Sequence, residues 1–373
     1  MKILVSVHVI WWNASADYAV TAAQALARRG HDVKLLAYRD TPAFGKAKDR
    51  GLPVIGHINL RRQDPVTFFR NQKLLGELWR AEEFDILNPH RPEDHFHLAW
   101  AKRRNKGAAK LIRTVSDVRS PKGNIFNKIL HEKWTDGLIY CAQACRVRYH
   151  EKFRLGGAKE KVIYSGLDVD EFTRGDWRSG NPFFDLGSPR IGIIARLSPN
   201  KGHHTLIKAA ARVRREVKSA AFIVVGKEEE VSIVELQNAA RRHGVADAFT
   251  FTGHLEDPRP AVAACDIGVV ASTDSEVISR AAQEFFAFGI PVVASRINVL
   301  PEIVEHGVNG LLVRPGDADE LAAAILELAK SEEQRKAFGA QAAIAAKERH
   351  DLSVLGRETE EFFRQILTTG TQE

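Results

Sequence analysis

Two doubly wound α/β domains are what the sequence predicts, and three observations predict them. The chain has 373 residues, more than one compact core usually holds. Apolar runs of strand length alternate with helical patterns through both halves, the mark of βαβ units and parallel sheets. Between the halves lies "RGDWRSGNPFFDLGSP" (174–189), rich in Gly, Pro, Ser and Asp and without periodicity, which reads as an interdomain linker. On this reading residues 1–175 form the first domain and residues 190–350 the second. Ligands are expected outside the carboxyl ends of the strands, in a cleft that the two domains face.

The first βαβ unit opens the chain. "ILVSVHVI" (3–10) is a buried strand. "DYAVTAAQALARRGH" is a helix, with Asp17 as its N-cap and Gly30 as its stop, and "DVKLLAY" is the next strand. "DILNPH", "AAKLIRTV", "DGLIYCA" and "KVIYSG" continue the series. After residue 189 the strands are "RIGIIARL", "AAFIVVG", "AFTFTG", "DIGVVAS", "PVVAS" and "GLLVRP". "HHTLIKAAARVRREV" sets Leu206, Ile207, Ala210, Val213 and Val217 on one helical stripe.

Composition excludes several classes. Hydrophobic content of 44% and charged content of 27% are those of an ordinary globular chain. The three cysteines, Cys141, Cys145 and Cys265, have no disulfide or zinc spacing. "MKILVSVHVIWW" lacks the basic flank and cleavage site of a signal peptide, and no apolar run reaches the ~18 residues of a spanning helix. A cytoplasmic, reduced protein is expected, so the sequon Asn13-Ala14-Ser15 is read as chance.

Charge is uneven. Residues 1–180 hold 32 Lys+Arg against 20 Asp+Glu, a net +12, and the remainder is −5. The excess peaks at 101–150, with 12 bases against 3 acids. Either this is a solvated basic face, or it attracts an anionic membrane surface or an anionic acceptor. No recognition motif or aromatic platform accompanies the bases, so nucleic acid is not expected as a partner.

Three strand-exit loops could carry chemistry. "IWWNASAD" (10–17) has no glycine, which argues against a dinucleotide fingerprint. Its Trp11 and Trp12 either pack in the core or line an acceptor site. "ARLSPNKGHH" (195–204) places Arg196 at a strand end and Lys201 just before a helix start. A rigid guanidinium fork, a mobile ammonium and a helix N-terminus together suit a diphosphate.

The third loop holds "DSEVISRAAQE" (274–284), with Glu276 and Glu284 eight positions apart. Were the whole segment helical, the two would lie ~80° apart around the axis. The reading adopted puts Glu276 in the exit loop of "DIGVVAS" and Glu284 in the second turn of a helix capped by Ser279 and stopped by Gly289. The amides near Ile278, Ser279 and Arg280 then lie between the two carboxylates. A phosphate fits that gap, and each carboxylate can accept from the hydroxyls of one sugar. The bland alternative is a capping acid and a solvated helix acid.

Taken together, "ARL…NKG", "VVG", "FTGHLED…AACDIGVVAS", the E-x7-E spacing, "FAFGIPVVAS" and "LPEIVEHGVNGLLVRPGD" resemble the retaining GT-B glycosyltransferases of family 4 over about residues 160–350. The first half resembles the family more loosely, through "ARRGHDV", "FDILNPH" and "KVIYSGLDVDEF". The resemblance implies the GT-B architecture, two Rossmann-like domains, with a nucleotide-sugar donor on the second and a glycan or lipid-linked acceptor on the first. It also implies that the last helix, about 352–373, packs back on the first domain.

By position, Arg196 and Lys201 match the family's basic pair on the donor diphosphate. Glu276 matches the first glutamate, near the donor sugar, and Glu284 the second, at the nucleotide ribose. Val277-Ile278-Ser279 stands where relatives often carry Gly-Phe-Gly, with Ile278 and Ser279 as donor-side candidates, and Gly253 and Leu255 lie in the segment near the base. Acceptor-side candidates are Asn13, His90, Ser116 and Lys122. Ser116 stands where relatives often have histidine, and His90 is the alternative for that role. No metal or other cofactor is implied, and the spacing of His90, His95 and His97 puts no two of them on one helical face.

The expected activity is sugar transfer from a nucleoside diphosphate to an acceptor hydroxyl with retention, by a hexosyl- or heptosyltransferase of lipopolysaccharide, cell-surface polysaccharide or glycolipid synthesis. Two rivals share the architecture. One is a nucleotide-sugar epimerase, and the other is a non-catalytic protein that binds polysaccharide or membrane.

Overall fold

The computed structural model describes residues 1–369 except 63, 106, 118, 157 and 158. The chain divides into two compact units, one of Met1–Gly166 with the chain from Leu352 onward, the other of Leu167–Asp351.

The first unit is built on a seven-stranded sheet: β1 (Lys2–Ser6), β2 (Asp32–Leu36), β3 (Val54–Ile55), β4 (Ile86–Pro89), β5 (Lys110–Val115), β6 (Gly137–Tyr140) and β7 (Glu160–Val162). Their order is β3-β2-β1-β4-β5-β6-β7, and every pairing is parallel. Parallel sheets are covered on both faces, which is why β4 and β6 are buried at every position. Leu4, Leu87 and Leu111 join one core with Leu75 and Leu98 from flanking helices.

The second unit has six strands: β8 (Arg190–Ile194), β9 (Ala221–Val225), β10 (Phe249–Gly253), β11 (Ile267–Val270), β12 (Val292–Ser295) and β13 (Gly310–Val313). Their order is β10-β9-β8-β11-β12-β13, again parallel. In both sheets the order reverses beside the first strand. The reversal points, between β1 and β4 and between β8 and β11, are where sheets of this kind are expected to bind ligands at their carboxyl ends.

Two expectations change, one strand is new, and one open alternative is narrowed. The stretch 174–189 belongs within the second unit, because its side chains are anchored there. Trp177 Nε1 donates to Thr173 O at 2.7 Å and its ring packs on Phe288, and Asn181 Nδ2 donates to Pro260 O at 2.9 Å. The first helix is Ala14–Arg28, capped by Asn13, whose Oδ1 accepts from Ala16 N at 3.0 Å; Asp17 lies in its first turn. Strand β3 is too short to leave a periodic signal. Trp11 is 72% exposed and takes no part in the core.

The last helix, Leu352–Thr369, lies against Ala14–Arg28 in the first unit. A Cβ on Gly356 would meet Ala25 O at 3.1 Å, so the helices approach closely, and Glu360 pairs with Arg29.

Candidate active site

In the second unit, β8 and β11 lie side by side, and their exit loops interlock. Thr273 N donates to Asn200 O at 2.9 Å. Gly202 has φ +77°, and a Cβ there would fall 2.0 Å from Ala271 O. Only glycine fits both the backbone angle and the space.

This closeness brings Lys201 to Glu276. Lys201 Nζ lies 2.7 Å from Glu276 Oε2, and Ser272 Oγ donates to the same oxygen at 2.6 Å. Both charged side chains are mostly buried, at 17% and 12% exposure. Glu276 is fixed from its backbone as well, since its carbonyl accepts from Val299 N at 3.2 Å. Ser272 is a member of the site that the sequence reading passed over; its only signal was its place at the end of "DIGVVAS".

Helix Arg280–Ala287 starts four residues beyond Glu276. Ser279 precedes the helix but does not cap it with its side chain. Its backbone is left-handed (φ 52°, ψ 61°), whereas a capping serine works from extended backbone. Its Oγ is buried with no hydrogen-bond partner among the described residues, and the residue is 2% exposed. Ile278 is also 2% exposed, so its side chain belongs to the core. Glu284 sits in the second turn of the helix, as the spacing predicts, and its Oε1 accepts from Arg280 Nε at 3.0 Å.

Arg196 is placed apart from this cluster. Its Nη1 pairs with Glu229, beyond β9, and its side chain is 54% exposed. Gly253 ends β10 with φ +71°, its carbonyl accepting from Gly226 N at 2.9 Å, and Leu255 follows half-buried. His203, which the sequence reading did not single out, opens helix His203–Glu216 beside Lys201. Burial, then the charges of His204 and Lys201, push its pKa down to about 4.

The first-unit candidates are four. Asn13 is the exposed N-cap already described. Ser116, at the end of β5, pairs its Oγ with that of Ser15 in the buried interior. His90 is 1% exposed; its Nε2 lies 2.9 Å from Asn88 Oδ1, and burial, reinforced by the Arg113 charge, holds its pKa well below the usual histidine range. Lys122 is exposed on the loop after β5, where its carbonyl accepts from Asn127 Nδ2 at 2.8 Å. No cluster of three His, Cys, Asp or Glu able to hold a metal occurs among the described residues.

Comparison with known proteins fits this arrangement. Residues 15–171 match the family model described as Glycosyltransferase Family 4, and residues 188–331 match that described as Glycosyl transferases group 1. Phosphatidyl-myo-inositol mannosyltransferase of Mycobacterium leprae is 23% identical over 365 residues, covering 95% of this chain and 94% of that protein. A GDP-mannose-dependent alpha-(1-6)-phosphatidylinositol monomannoside mannosyltransferase of Mycobacterium tuberculosis is 31% identical over 220 residues, 55% of this chain and 56% of that one. Among solved structures, a glycosyltransferase from Rickettsia africae superposes with a TM-score of 0.87 at 19% identity, covering 98% of each chain. Anabaena Alr3699/HepE in complex with UDP superposes with a TM-score of 0.83 at 22% identity, covering 98% of this chain and 100% of that one. The two family models between them span most of the sequence, one on each unit, and the chain belongs to the family 4, group 1 glycosyltransferases.

Proposed function

We propose that the protein transfers a hexose from a nucleoside-diphosphate sugar to a hydroxyl of a phosphate-bearing glycolipid acceptor, with retention at the anomeric carbon. The observation that carries this reading is the Lys201–Glu276–Ser272 cluster beside the start of helix Arg280–Ala287. It joins a mobile cation, a carboxylate that can accept from sugar hydroxyls, and a helix N-terminus.

In the step, the bond from the anomeric carbon to the diphosphate breaks and a bond to the acceptor oxygen forms on the same face. The acceptor proton passes to an oxygen of the leaving phosphate. Negative charge grows on that diphosphate, and Lys201 and the helix start are the preorganised groups for it, with Arg196 joining them on release from Glu229; such preorganised charges are usually the largest catalytic term. Glu276 positions the donor and is not a covalent nucleophile, in contrast to a retaining hydrolase. Glu284 holds the ribose, and Gly253 and Leu255 flank the base. No step is assigned to a metal, so chelation leaves the rate unchanged on this reading.

The acceptor is read onto the first unit, with the exposed Asn13 and Lys122 as its contacts and the buried Ser116 held by Ser15 behind the surface. The mannosyltransferase relatives named above, whose names specify phosphatidylinositol acceptors, support a hexose donor and a lipid acceptor. The first unit also exposes Val66 (80%), Phe69 (66%), Ile125 (74%), Phe126 (41%) and Trp100 (40%). Ring contacts Phe68–Phe69, Phe68–Trp100 and Phe96–Phe126 make this one patch across three helices. With Arg70, Lys73 and Arg103 on the same helices, the patch suits peripheral docking on an anionic cytoplasmic membrane face. Among the described residues no helix is long and apolar enough to cross a membrane.

The test is a thermal-shift screen across nucleotide-sugars, followed by product analysis with and without glycolipid acceptor. A specific donor raises the melting temperature, and a glycosylated lipid forms only with acceptor. If no nucleotide-sugar binds, or if a bound donor is isomerised without acceptor, the reading is wrong.

A further inference from the structure

Arg113 lies mid-strand in β5 and is 2% exposed. Its Nη1 donates to Pro89 O at 3.1 Å, and its buried Nε has no hydrogen-bond partner among the described residues. No carboxylate among those residues forms an ion pair with it. The nearby acids make their close contacts with other cations, although Asp94 Oδ2 and Glu93 Oε2 are buried without a hydrogen-bond partner among the described residues and both charges act on Arg113 from a distance. Asp94 holds His8 at 3.0 Å, Glu93 faces Arg91 at 3.6 Å, and Asp117 grips Arg119 through two bonds of 2.8 and 3.1 Å to its Nε.

A buried guanidinium without a counter-ion is unfavourable unless something neutralises it. Its other neighbours do not. His95 gives its Nε2 to Thr135 Oγ1 at 2.8 Å, and that hydroxyl donates onward to Leu130 O at 2.7 Å. The His131 ring lies 4.9 Å from that of His95, tilted by 47°, and burial with the Arg113 charge pushes its pKa down to about 3. Both imidazoles are therefore neutral near pH 7.

Arg113, His95, His131, Tyr149 and Lys122 line one cavity of about 710 Å³ in the first unit. That is the size of a small-molecule site, with room for a phosphate and the alcohol esterified to it. Its wall offers a buried planar fork, a phenol hydroxyl and an exposed ammonium as donors to phosphate oxygens, together with Arg91 and Arg119, whose charges face the carboxylates of Glu93 and Asp117 in the same wall.

We propose that this cavity binds a phosphate group, with Arg113 as its buried counter-charge. That the phosphate is the acceptor's own rests on the reading in the preceding section; the site itself does not. Arg113 acts as a binding residue, distant in sequence from every residue assigned to the donor.

The experiment is thermal denaturation of the full chain at constant ionic strength and pH 7.5, with chloride, inorganic phosphate or glycerol 3-phosphate. The wild type is expected to melt higher in both phosphates than in chloride, with glycerol 3-phosphate at least as effective as inorganic phosphate. Arg113→Met removes the buried charge at similar volume. It is expected to melt no lower than the wild type in chloride and to lose the phosphate-dependent rise. Arg113→Lys keeps the charge without the fork, and its phosphate midpoint is expected to move at least tenfold higher; it decides the matter should the methionine variant not fold.

A phosphate response that is absent in the wild type, or equal in the wild type and an Arg113 variant, overturns the site. In transfer assays, phosphate inhibition competitive with acceptor supports the acceptor's phosphate as occupant, and inhibition independent of acceptor overturns that assignment. An Arg113-dependent phosphate response in a protein that binds no nucleotide-sugar would keep this site and remove the proposed activity.

Discussion

Lys201 Nζ and Glu276 Oε2 are 2.7 Å apart, although they are 75 residues apart in the chain. On the proposed function, a donor diphosphate shares the lysine with a carboxylate that holds it already. Glu276→Gln is expected to tighten binding of the bare nucleoside diphosphate several-fold, because the lysine is released. Turnover is expected to fall about 100-fold or more, as when one preorganised polar group is lost. Calorimetric titration with nucleoside diphosphate and initial rates on the same samples check both; a variant with weaker diphosphate binding and normal turnover would refute the shared-lysine picture.

Lys201→Ala strands a mostly buried carboxylate. It is expected to destabilise the second unit by about 1–3 kcal/mol, the usual penalty for orphaning a buried charge-assisted partner. In the Lys201→Ala/Glu276→Gln double variant most of that loss is expected to return. Urea unfolding of the four proteins of the cycle measures the coupling.

Ser279 keeps a left-handed backbone, and a non-glycine residue there costs about 1–3 kcal/mol. Ser279→Gly is expected to hold or raise the melting temperature, since relief of strain offsets the extra entropy of glycine in the unfolded chain. Donor affinity is expected to drop in both Ser279→Gly and Ser279→Ala, because each lacks the buried hydroxyl. Equal donor affinity across all three proteins would leave the hydroxyl without a role at the donor.

Arg196 pairs with Glu229 on the surface, where such pairs contribute about 0–1 kcal/mol. Arg196→Ala is therefore expected to leave the melting temperature within a degree or two while donor affinity falls at least tenfold. Loss of both together would mark Arg196 as structural.

Stability is expected to fall in acid. His203 has its pKa pushed down to about 4 by burial, and the unfolded chain takes up its proton near 6.5. The unfolded state thus binds more protons below 6.5, so the second unit loses stability as pH drops towards 4, by on the order of 3 kcal/mol in full. His97, pushed down to about 4, and His131, to about 3, act with the same sign in the first unit. His8 acts oppositely. Its Nδ1 and Nε2 face Asp94 and Ile58 O at 3.0 Å each, which calls for a proton on both nitrogens. Although burial opposes it, Asp94 raises the His8 pKa, and the stability it contributes is lost as pH rises through that value. Urea midpoints from pH 7.5 to 4.5 test this, and His203→Gln is expected to flatten the second unit's share.

The candidate donor site was more legible in the sequence than the candidate acceptor site. Strand-exit loops of parallel sheets are marked by apolar runs that end in polar residues. Arg196, Lys201, Glu276 and Ser279 all sit where such runs stop. Ser272 was hidden because a serine after a strand has no spacing signal, and Arg113 because a lone arginine inside "AAKLIRTV" looks like one more surface base.

By itself the sequence determined every strand but β3, their parallel pairing and the helical place of Glu284, since hydrophobic periodicity and glycine stops are local properties. It also determined that Glu276 lies in a loop. Only the tertiary structure decided that Lys201 meets Glu276, that Arg196 turns to Glu229, that Ser279 is strained and uncapped, and that Arg113 is buried without an acid. Each of these depends on which strands become neighbours, and the pairing of β8 with β11 joins segments that no short-range pattern connects.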